Sequence, residues 1–461
     1  MSRERCVDHS QPAGRVSTVS GRGCSAVPVS VVSSPTGVRV DGLWGRVFSE
    51  TNMARAVRQV VSNRGAPGVD GMTVDQLSGW LESGWSGVQR RLEDGMFRPQ
   101  PLRRVEIPKP GGGVRMLGVP VVVDRVIGQA ICQVLVPIFE AGFSESSFGY
   151  RPGRSAQQAV SAAQRFVSDG YQWVVEIDLE RFFDRVNHDM VMARVARRIA
   201  DKRLLKLIRA FVEAGVMIDG VRQPVTVGAP QGSPLSPLLS NIMLDDLDQE
   251  LHRRGLRFVR YADDIRIYVG SERAAGRVLA SVTRWIEKRL KLVVNRGKSQ
   301  IGAATAITLL GFGFYIRNGR VLIRVAPKAR QRMKQRIRQL TSRSWSISLG
   351  RRIALINRFV AGWVSYFGLA DTPSLFDRTD QWMRRRLRQT VWEAWKNNTT
   401  RVRELRRLGA DDSAIFAVVT RVCGQWRASN SQVMNITLNT AWWRQQGLTG
   451  FADNYQRHRH T

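Results

Sequence analysis

Hydrophobic and polar residues alternate along the chain in a way that predicts both helices and short strands. Apolar residues recur at helical spacing over 49–63, 74–85, 124–139 and 272–290, so we predict a helix in each range. Short apolar runs bounded by turn residues predict strands over 173–179 and on both sides of an acidic pair at 263–264. Further strands are predicted near 292 and over 307–316. Because strands and helices follow one another without regular β-α-β alternation, the predicted fold class is α+β.

Two other segments have distinct patterns. The Pro-Gly-Gly-Gly run at 110–113 separates two apolar stretches, which predicts a β-hairpin over 105–119. After about residue 320 the pattern becomes helical, with basic residues at every second position of 328–338 and an aromatic stripe over 353–367. Residues 1–45 show little periodicity, and we expect an extension that is disordered or becomes ordered only on binding.

The charge changes this picture more than the rest of the composition does. Hydrophobic residues make up 43% of the 461, which is ordinary for a globular protein, but the net charge is +33. Such an excess argues against an ordinary small-molecule enzyme and predicts a polyanionic partner, most simply nucleic acid. Residues 317–409 hold 23 Lys and Arg against 5 Asp and Glu, which is 18 of the net charge.

Other locations and cofactors find less support in the sequence. A membrane surface is the weaker alternative, because we find no apolar stretch approaching the roughly 18 residues that span a bilayer. The four cysteines form no Cys-x-x-Cys pair, so neither a zinc site nor a disulfide framework is predicted. Nothing indicates export. We therefore expect an intracellular protein with reduced thiols.

Three carboxylates are the candidates for chemistry. Asp178 ends a predicted strand, and Asp263 and Asp264 occupy a predicted turn between two others. Adjacent aspartates repel each other unless a cation neutralises them, and hard divalent cations such as Mg²⁺ prefer carboxylate oxygens. A pair of such ions about 4 Å apart can stabilise the attacking and leaving oxygens of phosphoryl transfer. The alternative is that the two aspartates only form a solvated turn.

Several short motifs, in their order, resemble those of bacterial group II intron reverse transcriptases. Tyr261-Ala262-Asp263-Asp264 is similar to the catalytic box of that family. Residues 355–367 are similar to its thumb, or maturase X, motif. The matching blocks, in chain order, lie at 139–155, 176–188, 228–241, 261–264, 292–298, 309–312 and 355–367.

This resemblance implies a right-hand polymerase of fingers and palm, then an α-helical thumb and a helical tail. The implied parts are an extension (1–45), fingers (46–165), a palm with the catalytic aspartates (166–320), a thumb or maturase X domain (321–404) and a DNA-binding region (405–461). The last resembles the short tail of the nuclease-less, group IIC-like class. We expect no endonuclease there, so that a DNA end or replication fork supplies the primer.

The resemblance also implies roles at the active site. Asp178, Asp263 and Asp264, with the backbone carbonyl of Leu179, would bind two Mg²⁺ ions, with Mn²⁺ as an alternative. Phe183 would lie under the sugar and exclude a ribose 2′-hydroxyl, with Phe182 as the other register and two core aromatics as the structural alternative. The residues implied to contact the dNTP are Lys109, Arg115, Phe183, Gln231, Gly232 and Lys298.

Basic residues would contact the nucleic acids. For Arg64, Arg151 and Arg154, a template contact and a solvated charge are equal alternatives. In the thumb, charges along two helices would follow RNA backbone in a salt-sensitive way. The thumb residues concerned are Lys328, Arg332, Lys334, Arg336, Arg384, Arg385 and Arg388.

The function that this resemblance implies is RNA-directed DNA polymerase, a nucleotidyltransferase encoded by a group II intron. It would copy intron RNA into cDNA for retrohoming of the mobile element and bind that RNA as a maturase to assist splicing. Its partners would be intron RNA, an RNA template with a DNA primer, target DNA and dNTPs, without a membrane. One alternative is a domesticated relative in phage defence, CRISPR or DNA repair, and another is a non-catalytic RNA-binding splicing factor.

Overall fold

The computed structural model describes residues 39–108, 114–218, 221–223, 232–420 and 424–460. The α-helices in these ranges are α1 (Leu43–Val47), α2 (Glu50–Ser62), α3 (Leu77–Glu93), α4 (Val122–Glu140), α5 (Ala156–Ser168), α6 (Phe182–Arg185), α7 (His188–Val195), α8 (Lys202–Val212), α9 (Ser236–Arg253), α10 (Glu272–Trp285), α11 (Pro327–Leu340), α12 (Leu349–Phe367), α13 (Pro373–Ala394), α14 (Asn398–Arg407), α15 (Asp412–Val419), α16 (Gln425–Ala428), α17 (Gln432–Thr437), α18 (Thr440–Gln445) and α19 (Phe451–His460). A 3₁₀ turn (Val74–Gln76) precedes α3, and a π-helical turn (Ile286–Leu290) follows α10.

The strands form three sheets. They are β1 (Leu102–Pro108), β2 (Val114–Val119), β3 (Trp173–Ile177), β4 (Val216–Ile218), β5 (Val221–Gln223), β6 (Arg257–Tyr261), β7 (Asp264–Val269), β8 (Gln300–Ala303), β9 (Phe312–Arg317) and β10 (Arg320–Val325). The central sheet has the order β6-β7-β3-β8 and is antiparallel throughout. A second sheet has the order β2-β1-β4-β5, and β9 pairs with β10. The predicted α+β class is confirmed at this level of mixed helices and sheets.

The central sheet separates two hydrophobic cores. Successive residues of a strand point to opposite faces, so Val175 and Ile177 enter one core while Val174 enters the other. The first core contains the apolar sides of α4, α9 and α10, and the second contains those of α5, α12 and α13. The face that carries Val174 is thus covered at one end of the sheet. Its other end, beyond Ile177, carries the polar residues described below.

Most of the predicted elements are present, with two exceptions. The helices predicted at 49–63, 74–85, 124–139 and 272–290 correspond to α2, α3, α4 and α10 with its π-helical turn, and the hairpin is β1–β2. The strand predicted near 292 is wrong, since that segment makes only an isolated bridge between Val294 and Leu179. The actual edge strand is β8, which the sequence did not reveal. The strand predicted over 307–316 begins only at Phe312.

The expected disorder of residues 1–45 is wrong for its last part. Residues 1–38 lie outside the described residues, but Val40 forms a parallel bridge with Ile199, and α1 begins at Leu43. Leu43 is fully buried in the first core. The folded part of the chain therefore includes residues 40–45, since Val40 is bridged and a buried leucine anchors α1.

The prediction that no apolar stretch approaches the length of a membrane span is wrong for helix α4. It has 19 residues, and its most apolar 18-residue window has a mean hydropathy of 1.6. By length and composition alone it could cross a membrane. However, 67% of that window is buried inside the protein, which is typical of the central helix of a packed core.

The C-terminal helix α19 packs on α12 and α13. Its first two backbone amides, from Phe451 and Ala452, donate to the buried carboxylate of Asp380 at 2.7 and 2.9 Å. The Tyr455 hydroxyl donates to the carbonyl of Ala370, and its ring stacks on Phe376. Asp380 thus supplies acceptors to amides that have no partner within the helix.

Candidate active site

The central sheet brings the predicted catalytic aspartates to one end of its two central strands, β3 and β7, which is called the catalytic edge. Asp178 directly follows β3, while Asp264 begins β7 after the turn at Ala262 and Asp263. Ile177 pairs with Ile265, so Asp178 and Asp264 leave neighbouring strands at the same level and on the same face. Their side chains are 42% and 38% exposed. The structure therefore places these carboxylates together at an open surface.

A buried arginine lies immediately behind these carboxylates. Arg266 is two residues beyond Asp264 on the same face of β7, and its guanidinium bonds to the Asp264 carboxylate. The same guanidinium contacts Glu176, its register partner on β3, at 2.5 Å. Gln300 of β8 donates to the other oxygen of Glu176 at 2.7 Å. Arg266 thus compensates part of the negative charge of the site from inside the protein.

The segment before β8, residues 293–299, fixes Asp178. The Asp178 amide donates to Ser299 Oγ at 3.1 Å, and its carbonyl accepts from the Asn295 amide at 2.8 Å. Lys298 Nζ lies 3.9 Å from Asp178 Oδ2, with a largely exposed side chain. Leu179 is buried, and its backbone bridges Val294. Lys298 is accordingly placed where a second anionic group could also reach it.

The donor set fits a hard divalent cation. Within the described residues, no group of three or more His, Cys, Asp and Glu side chains is placed to hold a metal ion by itself. Mg²⁺ does not need one, because it commonly takes one or two carboxylates and completes its shell with water and substrate phosphates. Asp178 and Asp264, with Asp263 in the intervening turn, supply carboxylates at an accessible edge.

The predicted nucleotide residues are only partly described. Lys109 and Gln231 lie outside the described residues, and of Arg115 the structure gives its backbone in β2, opposite Ile107. Gly232 has a φ of +113°, and a Cβ there would lie 2.2 Å from the carbonyl oxygen of Gly118. A side chain at 232 is therefore excluded, and the loop before α9 packs directly against β2.

Phe182 and Phe183 have different surroundings. Phe182 is buried in the first core, while Phe183 is half-buried beside it, with ring centroids 5.2 Å apart. Phe182 is therefore a core residue. Phe183 is the ring of the pair that remains accessible for the predicted contact with the sugar.

The arginines predicted to contact the template differ in availability. Arg64 is exposed, with a φ of +46°, directly after α2. Arg154 pairs with the exposed Glu145. Arg151 is 7% exposed; it pairs with Glu140 at 2.7 Å and donates to the carbonyls of Ser144 and Ser147. In this conformation Arg151 acts inside the protein and is not available to a template.

The basic residues of the helical part also divide into two groups. Those on α11 are exposed, as predicted for contacts with RNA backbone: Lys328, Arg332, Lys334 and Arg336. On α13, Arg384 is half-buried, Arg385 donates to the Trp426 carbonyl, and Arg388 is buried and donates to the Ser429 carbonyl. Arg385 and Arg388 therefore join α13 to the segment around α16, and Arg388 in particular is not free to bind RNA.

Sequence reasoning missed the polar residues that support the site. Arg266 carried one usable signal, since a charged residue two positions after Asp264 shares its strand face. Glu176 carried the same signal relative to Asp178. Asp248 and Arg260 carried none, because only tertiary folding brings α9 against β6, while Asn241 ends the matching block 228–241 without a role assigned to it.

Comparisons with known proteins support the same region as the catalytic one. The sequence model of the family described as "Reverse transcriptase (RNA-dependent DNA polymerase)" matches residues 107–314. That described as "Group II intron, maturase-specific domain" matches residues 330–409. All three candidate aspartates, Arg266 and Lys298 lie inside the first match.

Individual relatives are similar over different lengths. Protein YkfC of Escherichia coli (strain K12) is 32% identical over 352 residues, which cover 68% of this chain and 91% of YkfC. The group II intron-encoded protein LtrA of Lactococcus lactis subsp. cremoris is 34% identical over 206 residues, covering 44% of this chain and 34% of LtrA. Nuclear intron maturase 2, mitochondrial, of Arabidopsis thaliana is 25% identical over 177 residues, covering 30% and 24%. The chain spans most of YkfC and about a third of LtrA.

Proposed function

We propose, since the chain belongs to the family of group II intron-encoded reverse transcriptases and maturases, that it copies intron RNA into cDNA and assists intron splicing. The observation that carries this proposal is that Asp178 and Asp264 leave neighbouring strands at one accessible end of the sheet, with Asp263 in the turn before β7, inside the reverse transcriptase match. The substrates are dNTPs, an RNA template and a DNA primer. Retrohoming of the intron is the purpose of the synthesis.

Reverse transcriptase domains use divalent metal ions, and two Mg²⁺ ions are proposed here, with Mn²⁺ as the alternative. Asp178, Asp263 and Asp264 would hold them, with the Leu179 carbonyl as a further oxygen. Bound there, the ions supply a lowered pKa for the primer 3′-hydroxyl and charge neutralisation for the pyrophosphate leaving group. Arg266 and Glu176 keep the Asp264 carboxylate oriented behind this site.

Other residues of this chain would bind and select the nucleotide. Lys298, next to Asp178, presents a point charge to phosphate oxygens, and by the resemblance Lys109 and Arg115 would bind phosphate as well. The absence of a side chain at Gly232 lets the loop before α9 come close to β2. Phe183 would close the space below the sugar and so exclude a ribose 2′-hydroxyl.

The remaining chain would hold the nucleic acids. The proposed thumb or maturase X domain (321–404) coincides closely with the maturase-specific match at 330–409, and the tail (405–461) would bind target DNA. The exposed cations of α11 support an RNA-binding role because they lie along one helix without acidic residues among them. We place the protein in the bacterial cytoplasm, on the nucleoid when it binds DNA.

A separation-of-function experiment tests both halves of the proposal. Asp263→Ala should abolish cDNA synthesis on intron RNA while leaving stimulation of intron splicing at low Mg²⁺ intact, because the RNA-binding surface is unchanged. If the wild-type protein does not stimulate splicing, the maturase role is contradicted. Absence of cDNA synthesis by the wild type would contradict the polymerase role and favour a non-catalytic splicing factor.

A further inference from the structure

A fully buried ion pair lies beneath the catalytic turn. Arg260 of β6 and Asp248 of α9 are both 0% exposed. Arg260 Nε donates to Asp248 Oδ1 at 2.8 Å, and Nη2 donates to Oδ2 at 2.6 Å. This two-point geometry leaves Nη1 of the guanidinium directed elsewhere.

That remaining nitrogen holds the turn itself. Arg260 Nη1 donates to the carbonyl oxygen of Ala262 at 3.0 Å and to Asn241 Oδ1 at 2.9 Å. Ala262 has a φ of +57°, a left-handed conformation that costs a non-glycine residue about 1 kcal/mol or more. Its carbonyl belongs to the peptide that enters Asp263. Arg260 therefore stabilises an unfavourable backbone conformation at the position that aims the Asp263 carboxylate.

Asn241 connects this turn to a second loop. Its Nδ2 donates to the carbonyl of Gly149 at 2.9 Å, while its Oδ1 accepts from Arg260. Phe148 and Arg260 are also joined by a backbone hydrogen bond of 2.9 Å. A Cβ at Gly149 would lie 2.2 Å from the Ala262 nitrogen, so the two main chains touch. The Asn241 side-chain amide thus holds the main chain at Gly149 directly and the main chain at Ala262 through Arg260.

Building on the proposed function, we propose that Asn241 is a positioning residue for nucleotide addition, acting through Arg260 and Gly149 on the direction of Asp263. An uncharged side-chain amide presents an acceptor oxygen and a donor nitrogen that point apart, as these two contacts require. Asn241 is 1% exposed on α9, so it does not contact nucleotide or primer. Without it, the Arg260–Asp248 pair still holds α9 to β6, but Nη1 and the Gly149 carbonyl lose a partner.

The consequence is a specific kinetic signature. Displacement of a reacting group by about 1 Å can lower a rate about 100-fold. Since Asn241 does not line the nucleotide pocket, its removal should slow the chemical step without weakening dNTP binding. A residue needed only for folding would instead reduce the amount of active enzyme and leave the rate constant of the remaining enzyme unchanged.

Single-turnover primer extension on an RNA template tests this, with Asn241→Ala beside Ser240→Ala as the matched control. Ser240 is the preceding buried residue of α9, and its hydroxyl has no hydrogen-bond partner within the described part of the chain. For Asn241→Ala we expect a rate constant 10- to 100-fold lower, a dNTP Kd within about twofold of wild type, and a normal active fraction from the reaction amplitude. Ser240→Ala should match wild type.

The proposal is overturned if Asn241→Ala retains the wild-type rate constant, even with lower amplitude or Tm, or if its loss is entirely in dNTP Kd. If Asn241→Ala does not fold, Asn241→Ser, which retains a hydroxyl for only one of the two contacts, decides between the same outcomes. A wild-type protein without synthesis would contradict the proposed function itself. That result is distinguishable from an active wild type with an unaffected Asn241 variant.

Discussion

Phe182 and Phe183 illustrate how adjacent residues of one short helix divide between core and site. Phe182 is 2% exposed in the first core, whereas Phe183 is half-buried and remains partly accessible. The two rings meet edge to face, so Phe182 supports Phe183 from below. The resemblance left both registers open, and the burial of Phe182 makes Phe183 the residue available to a sugar.

We expect Phe183→Ala to increase incorporation of rNTPs relative to dNTPs by about tenfold or more, because a bulky side chain no longer blocks the 2′-hydroxyl. Competitive incorporation on an RNA template measures this ratio. Phe182→Ala is the control: it should cost about 3–5 kcal/mol of unfolding free energy as a core truncation and leave sugar selectivity unchanged. Unchanged selectivity in the Phe183 variant would contradict the assignment.

Asp124 gives a prediction about pH. Burial raises the pKa of this carboxyl from 3.8 to about 7, partly offset by the hydrogen bond from the Gln100 amide. Between pH 4 and 7 the folded protein therefore retains a proton that the unfolded chain has lost, and this residue lowers the unfolding free energy as pH rises. An asparagine at position 124 would not titrate, and its side-chain oxygen would still accept the hydrogen bond from the Gln100 amide.

We accordingly expect Asp124→Asn to be about as stable as the wild type at pH 4 and more stable by about 1–3 kcal/mol at pH 8. Urea unfolding at the two pH values measures the difference. The same stability difference at both pH values would contradict a pKa of Asp124 that burial raises in the folded protein.

At the scale of elements, Asp380 joins the C-terminal helix to the helices before it. Both of its oxygens accept amides at the start of α19, so the carboxylate acts as a capping group supplied by α13. We expect Asp380→Ala to lower the unfolding free energy by about 1–2 kcal/mol and to make α19 more accessible to protease. The exposed Asp377 on the same helix is the control, and Asp377→Ala should change neither. An equal effect of both substitutions would contradict the capping role.

The strength of the local hydrophobic pattern decides which helices and strands could be predicted from the sequence. The strands around Asp263 and Asp264 were predictable because β6 and β7 are apolar runs bounded by a turn, and α2, α4 and α10 because their periodicity is strong. Strand β8 was not, since its four residues carry no alternating pattern and pair only through tertiary contacts with β3. The aspartates followed from motif resemblance, but Arg266, Arg260 and Asn241 depend on register and on helix-to-sheet packing.

At the scale of the whole molecule, positive charge is concentrated away from the carboxylates. Residues 317–409 carry an excess of 18 positive charges, and the cations of α11 are exposed. Internal use of Arg388, and of Arg151 nearer the site, shows that the net charge overstates the number of available contacts. We therefore propose that exposed helix faces make most of the contacts with RNA.

Replacing Lys328, Arg332, Lys334 and Arg336 together with Gln tests this assignment. Each lost phosphate contact should reduce the slope of log K against log salt by about 0.7–0.9, so we expect a total reduction of about 3 for RNA. Titrations of fluorescent RNA at several salt concentrations measure the slope. Four exposed cations on the other face of the central sheet serve as the control, and their replacement should change the slope by less than about 1: Arg273, Arg277 and Arg284 of α10 and Lys288 of the π-helical turn that follows it. Equal effects of the two sets would contradict a specific RNA-binding face.

The central claim is that the edge formed by Asp178, Asp263 and Asp264 catalyses RNA-templated DNA synthesis. The most direct measurement is addition of one complementary dNTP to a DNA primer annealed to RNA, in Mg²⁺, by the wild type, Asp263→Asn and the exposed control Asp169→Asn. We expect addition by the wild type and the control, and a rate at least about 1000-fold lower for Asp263→Asn, because an essential oxygen ligand becomes a neutral amide. Nucleotide addition by Asp263→Asn at the wild-type rate would contradict the claim.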